Sequence, residues 1–163
     1  MVDAPSFRNT LGRFASGITV VTAELDGLPF GLTVSAFMSV SLEPPLIAVS
    51  IDRSSKMHES LVRANEFAVS ILAEDQSALS DHFAGRGVRV AQPFERFAGL
   101  PVVRGAIGHL VCSAHARHEA GDHTIFLGLV EAVRQDEAGE PLTYFRGKYG
   151  GFVRQAELSL ASG

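Results

Sequence analysis

ITVVTAELDGLPFGLTV, residues 18–34, is the stretch from which the architecture is read: a β-branched run, a central Asp26-Gly27 pair, and a second apolar run over 30–34. β-branched side chains suit a pleated surface, and glycine after aspartate supplies the positive φ that a two-residue hairpin turn demands. The segment predicts two antiparallel strands. Upstream, Phe7, Leu11, Phe14 and Ala15 recur at helical spacing behind Asp3 and Pro5. That pattern predicts a short amphipathic helix with Asp3 as cap, ended by Gly17.

Downstream, Pro44-Pro45 excludes helix and introduces LIAVSI (46–51), which FAVSIL (67–72) echoes; both read as buried strands. Met57, Leu61 and Val62 between them, and Ala78, Leu79, His82 and Phe83 after them, sit at helical spacing and predict two short helices. Residues 85–104 mix glycine, proline and arginine without a sustained period and read as an irregular loop. Residues 107–117, 123–133 and 142–145 then read as three strands joined by turns at 119–122 and 136–139. An antiparallel meander closing into a barrel removes exposed edges, and the fold class expected is mainly β with short flanking helices.

The chain has 163 residues and a net charge of −4. This size suits one domain, and the charge offers no footprint for nucleic acid or an anionic membrane. The single Cys112 excludes an internal disulfide and a multi-cysteine metal cluster. No run approaches the roughly 18 apolar residues of a membrane span, and the N-terminus lacks a leader pattern, so a cytoplasmic location is expected. A mean hydropathy of +0.18 is high for a small protein and predicts apolar surface buried in a homodimer.

Neither G-x-G-x-x-G after a strand nor G-x-x-x-x-G-K-[ST] occurs, so a Rossmann site and a P-loop are both unsupported. GLTVSAFMSVSLEPP (31–45) mixes small, hydroxyl and apolar residues. It reads either as a plain Ser/Thr-rich strand and loop, or as a strand end whose small side chains let a flat ring approach the backbone. SIDRSSK (50–56) runs from a strand end into a helix and suits either an N-cap or a phosphate site. His115, His118 and His123 lie close together in the chain, but odd spacing on a strand sends His115 and His118 to opposite faces, and no metal is expected. Cys112 within an apolar strand reads as an inert small hydrophobe, and Asp81-His82 as part of a surface helix.

Taken together, the segments resemble the flavin reductase family, the small partners of two-component flavin-dependent monooxygenases. The resemblance covers roughly residues 7–153 and leaves 154–163 as a C-terminal tail. It is carried by GITVVT (17–22), GLTVSAFMSVSLEPPL (31–46), EFAVSIL (66–72), HFAG (82–85), GDHTIFLGLV (121–130) and YFRGKY (144–149). It implies an FMN-binding split barrel and an NAD(P)H:flavin oxidoreductase. Such an enzyme reduces FMN or FAD with NADH or NADPH and delivers the product to a separate oxygenase.

On this resemblance, Thr33, Val34, Ser35 and Ala36 lie along the flavin ring, and Ser50, Ile51, Asp52, Ser54, Ser55 and Lys56 hold the ribityl and phosphate groups. Phe83, Ala84 and Gly85 match a further flavin contact, Arg86 reaches a phosphate, and His123 faces the nicotinamide with Tyr149 nearby. The family often has two serines where this chain has Ser35-Ala36, so one hydroxyl contact is missing. Three rivals stay open at this point. They are a flavoprotein carrier or sensor that retains FMN, a non-enzymatic barrel for haem or another flat ligand, and a metal-dependent hydrolase using His115, His118 and Glu119.

Overall fold

The computed structural model describes residues 2–155; the part of the expected tail beyond 155 and Met1 lie outside the described residues. The chain opens with α1 (Ala4–Leu11), whose N-cap Asp3 accepts a hydrogen bond from the Ser6 amide at 2.9 Å. The helix ends at Gly12 rather than Gly17, and none of its residues is buried. Gly17 falls instead in β1 (Ser16–Gly17). Strands β2 (Thr19–Leu25) and β3 (Leu28–Val34) pair from Thr19 opposite Val34 to Leu25 opposite Leu28. Asp26 and Gly27 turn with φ of 52° and 76°, the hairpin geometry expected of this pair.

After β3 the chain turns at Ser35-Ala36 into β4 (Phe37–Leu42) and β5 (Pro45–Asp52). β4 was expected as part of a strand and loop; its Met38, Val40 and Leu42 alternate with Ser39 and Ser41 but are exposed. Helix α2 (Lys56–Arg63), capped by Ser55, buries Met57 and Leu61; β6 (Glu66–Ile71) and α3 (Ser77–Phe83) follow.

The expected loop over 85–104 is in part a hairpin, β7 (Phe94–Phe97) and β8 (Leu100–Val103). Its turn places Ala98 and Gly99 at φ of 45° and 88°, and Phe97 and Leu100 pack on the buried Ala68, Val102 and Val111. This packing is with residues distant in the chain, so local sequence carries little trace of it.

Long strands β9 (Gly108–Ala120) and β10 (His123–Gln135) pair with register shifts at Leu127/Gly128 and Val130/Ala132. A Cβ at Gly128 would stand 2.6 Å from the Phe67 ring and 2.8 Å from the Cys112 Cβ, so glycine leaves the space that these side chains fill.

The main sheet runs β3-β2-β6-β9-β10-β5-β4. Its two edges are consecutive in the chain, joined by Ser35 and Ala36, and they do not pair. The result is a mainly β, split barrel opened along the β3/β4 seam. The core on the inner face includes Val21, Val49, Ile51, Phe67 and Phe126.

The expected three-strand meander is corrected. β11 (Thr143–Phe145) does not continue from β10 but pairs with β1 and with β12 (Lys148–Gly150) in a separate small sheet. Leu142, 1% exposed, is the anchor: its carbonyl accepts from Ile18 N and its amide donates to Leu72 O. Among the described residues, no helix is long and apolar enough to cross a membrane.

Candidate functional site

The β3/β4 seam opens into an apolar cleft of about 520 Å³ between the end of α1, the Ser35-Ala36 turn, β5, β10 and Tyr144. Leu11 and Phe14 form one wall, Met38 and Ala48 another, and Ser35, Ser50 and Tyr144 supply polar atoms. A volume of this order suits a cofactor-sized ring system, and lining by small side chains lets a flat ligand lie against the backbone. The hydroxyls of Ser35 and Ser50 form no hydrogen bond among the described residues. Thr19 and Thr33, by contrast, donate to the carbonyls of Val34 at 2.6 Å and Ser80 at 2.7 Å. Hydroxyls with no protein partner at the wall of an apolar cleft are available to a ligand.

Along the outer face of the β5–β10 pair, Ser50 stands opposite Ile125 and Asp52 opposite His123, whereas the intervening Ile51 and Thr124 are buried. Strand alternation therefore places His123 and Asp52 on the face that lines the cleft, about 6.6 Å further along. His123 Nδ1 lies 2.7 Å from Asp122 Oδ1. A carboxylate can only accept, so the neutral ring carries its proton on Nδ1 and presents Nε2 as an acceptor. Asp52 Oδ1 accepts from the amide and hydroxyl of Ser54 at 2.7 and 2.8 Å. Those bonds, with smaller help from His123 and His58, hold its carboxyl below the usual carboxylate value. Ser55 accepts from Met57 N as the cap of α2, and Lys56 is exposed at its first position.

A second cavity of about 210 Å³ shares Ser35 and Tyr144 with the cleft and is also lined by Thr33, Ala84, Arg86 and Tyr149. Here Tyr149 donates to Asp81 Oδ1 at 2.7 Å and lies 2.9 Å from Ser80 Oγ. Arg86 donates to Asp81 at 2.9 Å and to the Tyr149 oxygen at 3.2 Å. Tyr144 and Asp81 together keep the Arg86 guanidinium above its ordinary value. Asp81, read from sequence as part of a surface helix, is the acceptor that joins these side chains.

The structure thus brings Ser35, Ala36 and Ser50 into the cleft, sets Asp52 and His123 along its extension, and gathers Thr33, Ala84, Arg86 and Tyr149 in the adjoining cavity. Val34 and Ile51 point into the core, and Phe83 is buried beneath Gly31. Gly85, with φ of 71°, turns the chain out of α3 toward Arg86. Ser54, Ser55 and Lys56 follow Asp52 into α2. No hydrogen bond or ring contact joins His123 to Tyr149 among the described residues. Sequence reasoning passed over Tyr144, Arg146, Asp81 and the apolar wall. Tyr144 and Arg146 sat within the YFRGKY stretch, whereas Asp81 was read with His82 as part of a surface helix. Cys112 is fully buried, and burial pushes its thiol up to about 12. No group of three or more His, Cys, Asp or Glu among the described residues is placed to hold a metal ion.

A profile of the flavin reductase like domain matches residues 11–152. The chain belongs to the flavin reductase-like family. This flavin reductase-like chain is 46% identical over 145 residues to the reductase component of 4-hydroxyphenylacetate 3-monooxygenase from Thermus thermophilus, covering 88% of this chain and 93% of that one. It is 42% identical to an NADH-dependent FMN reductase of Agrobacterium fabrum, covering 94% and 88% of the two chains. The solved flavin reductase PheA2 in its native state superposes with a TM-score of 0.90 at 43% identity, covering 94% of this chain and all of that one. The NADH:FAD oxidoreductase of Streptomyces globisporus, solved with NAD and FAD fragments, gives 0.86 at 35% identity, covering 96% and 98%. Relatives of this family are thus named as reductases of both flavins, and as reductase components of monooxygenases.

Proposed function

We propose that this chain is an NAD(P)H:flavin oxidoreductase that takes FMN or FAD into the β3/β4 cleft and supplies the reduced flavin to a separate oxygenase. The observation that carries the reading is the apolar cleft with the Ser35 and Ser50 hydroxyls uncommitted on its wall. Family membership favours a reductase over a retained-flavin carrier and over a non-enzymatic barrel. The bound flavin supplies the chemistry, accepting hydride from the reduced nicotinamide.

The chain's own residues bind, orient and exclude water. Leu11, Phe14 and Met38 form the apolar walls, and Ser35 and Ser50 bond the polar edge of the ring system. Ala36, small and at the turn of the seam, keeps the backbone within reach of that edge. Asp52, Ser54, Ser55 and Lys56 continue the groove toward the ribityl and phosphate side, where Lys56 supplies a positive charge. His123 Nε2 accepts a hydrogen bond from the nicotinamide carboxamide, and Asp122 fixes its tautomer. Arg86, held by Asp81, and Tyr149 bound the adjoining cavity beside Ala84 and Gly85.

Two copies associate through the edge strand β4, whose Met38, Val40 and Leu42 are exposed and whose Met38 lines the cleft with Phe14, and this face closes the cleft from solvent. The protein is a cytoplasmic homodimer on this reading.

Oxidation of NADH by desalted protein, followed with and without FMN across flavin concentrations, tests the assignment. Saturable dependence on added flavin is expected. No turnover with FMN or FAD, using either NADH or NADPH, would overturn it.

A further inference from the structure

Beside the cleft, and sharing Gly12, Tyr144 and Arg146 with it, lies a cavity of about 590 Å³ whose wall also carries Arg8 and Arg13. Three exposed arginines therefore line one concavity in a chain whose net charge is −4. None of the three has a side-chain hydrogen bond or ion pair among the described residues. Arg53, Arg86, Arg96 and Arg134, by contrast, each face a carboxylate. Like charges gathered without a counter-ion repel one another, and an anion between them relieves that repulsion.

The backbone builds this arrangement. Arg146 N donates to Gly12 O at 3.0 Å, fastening the β11–β12 turn to the end of α1. A Cβ at Gly12 would stand 3.3 Å from Arg8 O, a tight contact, and 3.7 Å from the Arg146 Cα, an ordinary one. Arg146 itself occupies a left-handed turn position, φ 51°, where glycine, asparagine or aspartate carry less strain. The chain thus presents a long cation where a small residue is the easier choice.

We infer that Arg8, Arg13 and Arg146 form an anion subsite for the diphosphate of NAD(P)H, the flavin's own phosphate being taken at Ser54, Ser55 and Lys56. The inference rests on the flavin reductase reading for the ring beside it. Planar guanidinium groups pair with phosphate oxygens in two-point fashion, which fits three arginines better to a phosphate chain than to an isolated carboxylate. Direct continuity with the cleft lets a dinucleotide keep its ring in the apolar part while its diphosphate reaches the arginines.

The test is calorimetric titration of the full-length protein with ADP, which carries the diphosphate without a redox ring. ADP affinity should fall about tenfold in Arg146→Gly and in Arg8→Ala, and should weaken with added salt. Glycine suits the turn at 146, so the variant keeps its fold, which an unchanged thermal midpoint verifies. Arg146→Lys should recover only part of the affinity, since an ammonium cannot make the two-point contact.

A rise in KM for NADH or NADPH in Arg146→Gly, with FMN as acceptor, supports the assignment; a rise in the KM ratio of FAD to FMN with KM for the reduced nicotinamide unchanged would overturn it. Absence of ADP binding to the wild type, or equal affinity in wild type and both variants, would overturn the subsite. Failure of the reductase reading is a separate result: a wild type that oxidises no reduced nicotinamide with any flavin.

Discussion

Tyr149 and Asp81, 68 positions apart in sequence, meet through a 2.7 Å hydrogen bond from the Tyr149 hydroxyl to the Asp81 carboxylate. The bond ties β12 to α3 beside the second cavity, and Arg86 joins the same carboxylate oxygen. Burial, with the Asp81 bond acting the same way and the Ser80 contact opposing it, raises the Tyr149 hydroxyl above its ordinary 10.0. Tyr149 therefore stays a proton donor across the neutral range. Asp81→Ala and Tyr149→Phe should each lower kcat/KM for the reduced nicotinamide about tenfold. Because one network is cut in both, the double variant should fall well short of the product of the two losses. Steady-state kinetics on the four proteins measures that coupling.

His123 is expected to act through Nε2 with Asp122 fixing its proton. His123→Ala should raise KM for NADH about tenfold, with a smaller change in KM for FMN. Asp122→Ala should raise KM for NADH by less than His123→Ala does, without abolishing turnover. An unchanged kcat/KM for NADH in His123→Ala would remove the residue from the site.

Cys112 is sealed in the core with its thiol pushed up to about 12. The native protein should resist a thiol-specific disulfide reagent at mildly alkaline pH, and react once unfolded in urea. Colour release before and after denaturant reads this directly.

Gly31 faces the Phe83 ring, and an added Cβ would lie 2.7 Å from two of its carbons. Phe83 is held by its neighbours His82 and Phe94, with ring centroids at 4.8 and 5.4 Å. Gly31→Ala should therefore destabilise the fold by about 1–3 kcal/mol, measurable as a lower urea midpoint.

His109 is buried, with Nδ1 3.2 Å from Ser70 Oγ. Burial, aided by Arg134, moves the ring below its ordinary 6.5. The unfolded chain takes up this proton at higher pH than the folded one. The neutral ring's contribution is therefore present above pH 6.5 and is lost as pH falls through the folded value. The urea midpoint should fall between about pH 7.5 and about pH 5.5, and His109→Gln should show a shallower fall.

Local chemistry made much of this protein legible. The Asp26-Gly27 turn, the Asp3 cap and the strands at 46–51 and 67–72 depend on neighbours in the chain, and the expectations for them match the structure; of the two serines that could cap α2, Ser55 does so. Where long-range contacts decide, the reading fell short. β7 and β8 form because Phe97 and Leu100 pack under the barrel, and β11 leaves the meander because Leu142 is stitched between Ile18 and Leu72. Gly17 suggested a helix end, but the chain had already turned at Gly12, where it meets Arg146.

The same division holds at the candidate site. Ser35-Ala36, the GDH run and the YFRGKY run were visible because, in their order and spacing, they carry the resemblance to the flavin reductase family. Their grouping into one cleft was not, since it depends on β3 and β4 becoming the unpaired edges of a single curled sheet. Asp81 beside Tyr149, and three arginines around Gly12, are likewise products of chain crossing, because hydrogen-bond partners and like charges are chosen by proximity in space. Turns, caps and strand character follow from each residue's own dihedral and side-chain preferences; cavities and charge clusters follow from which distant surfaces the barrel closure brings together.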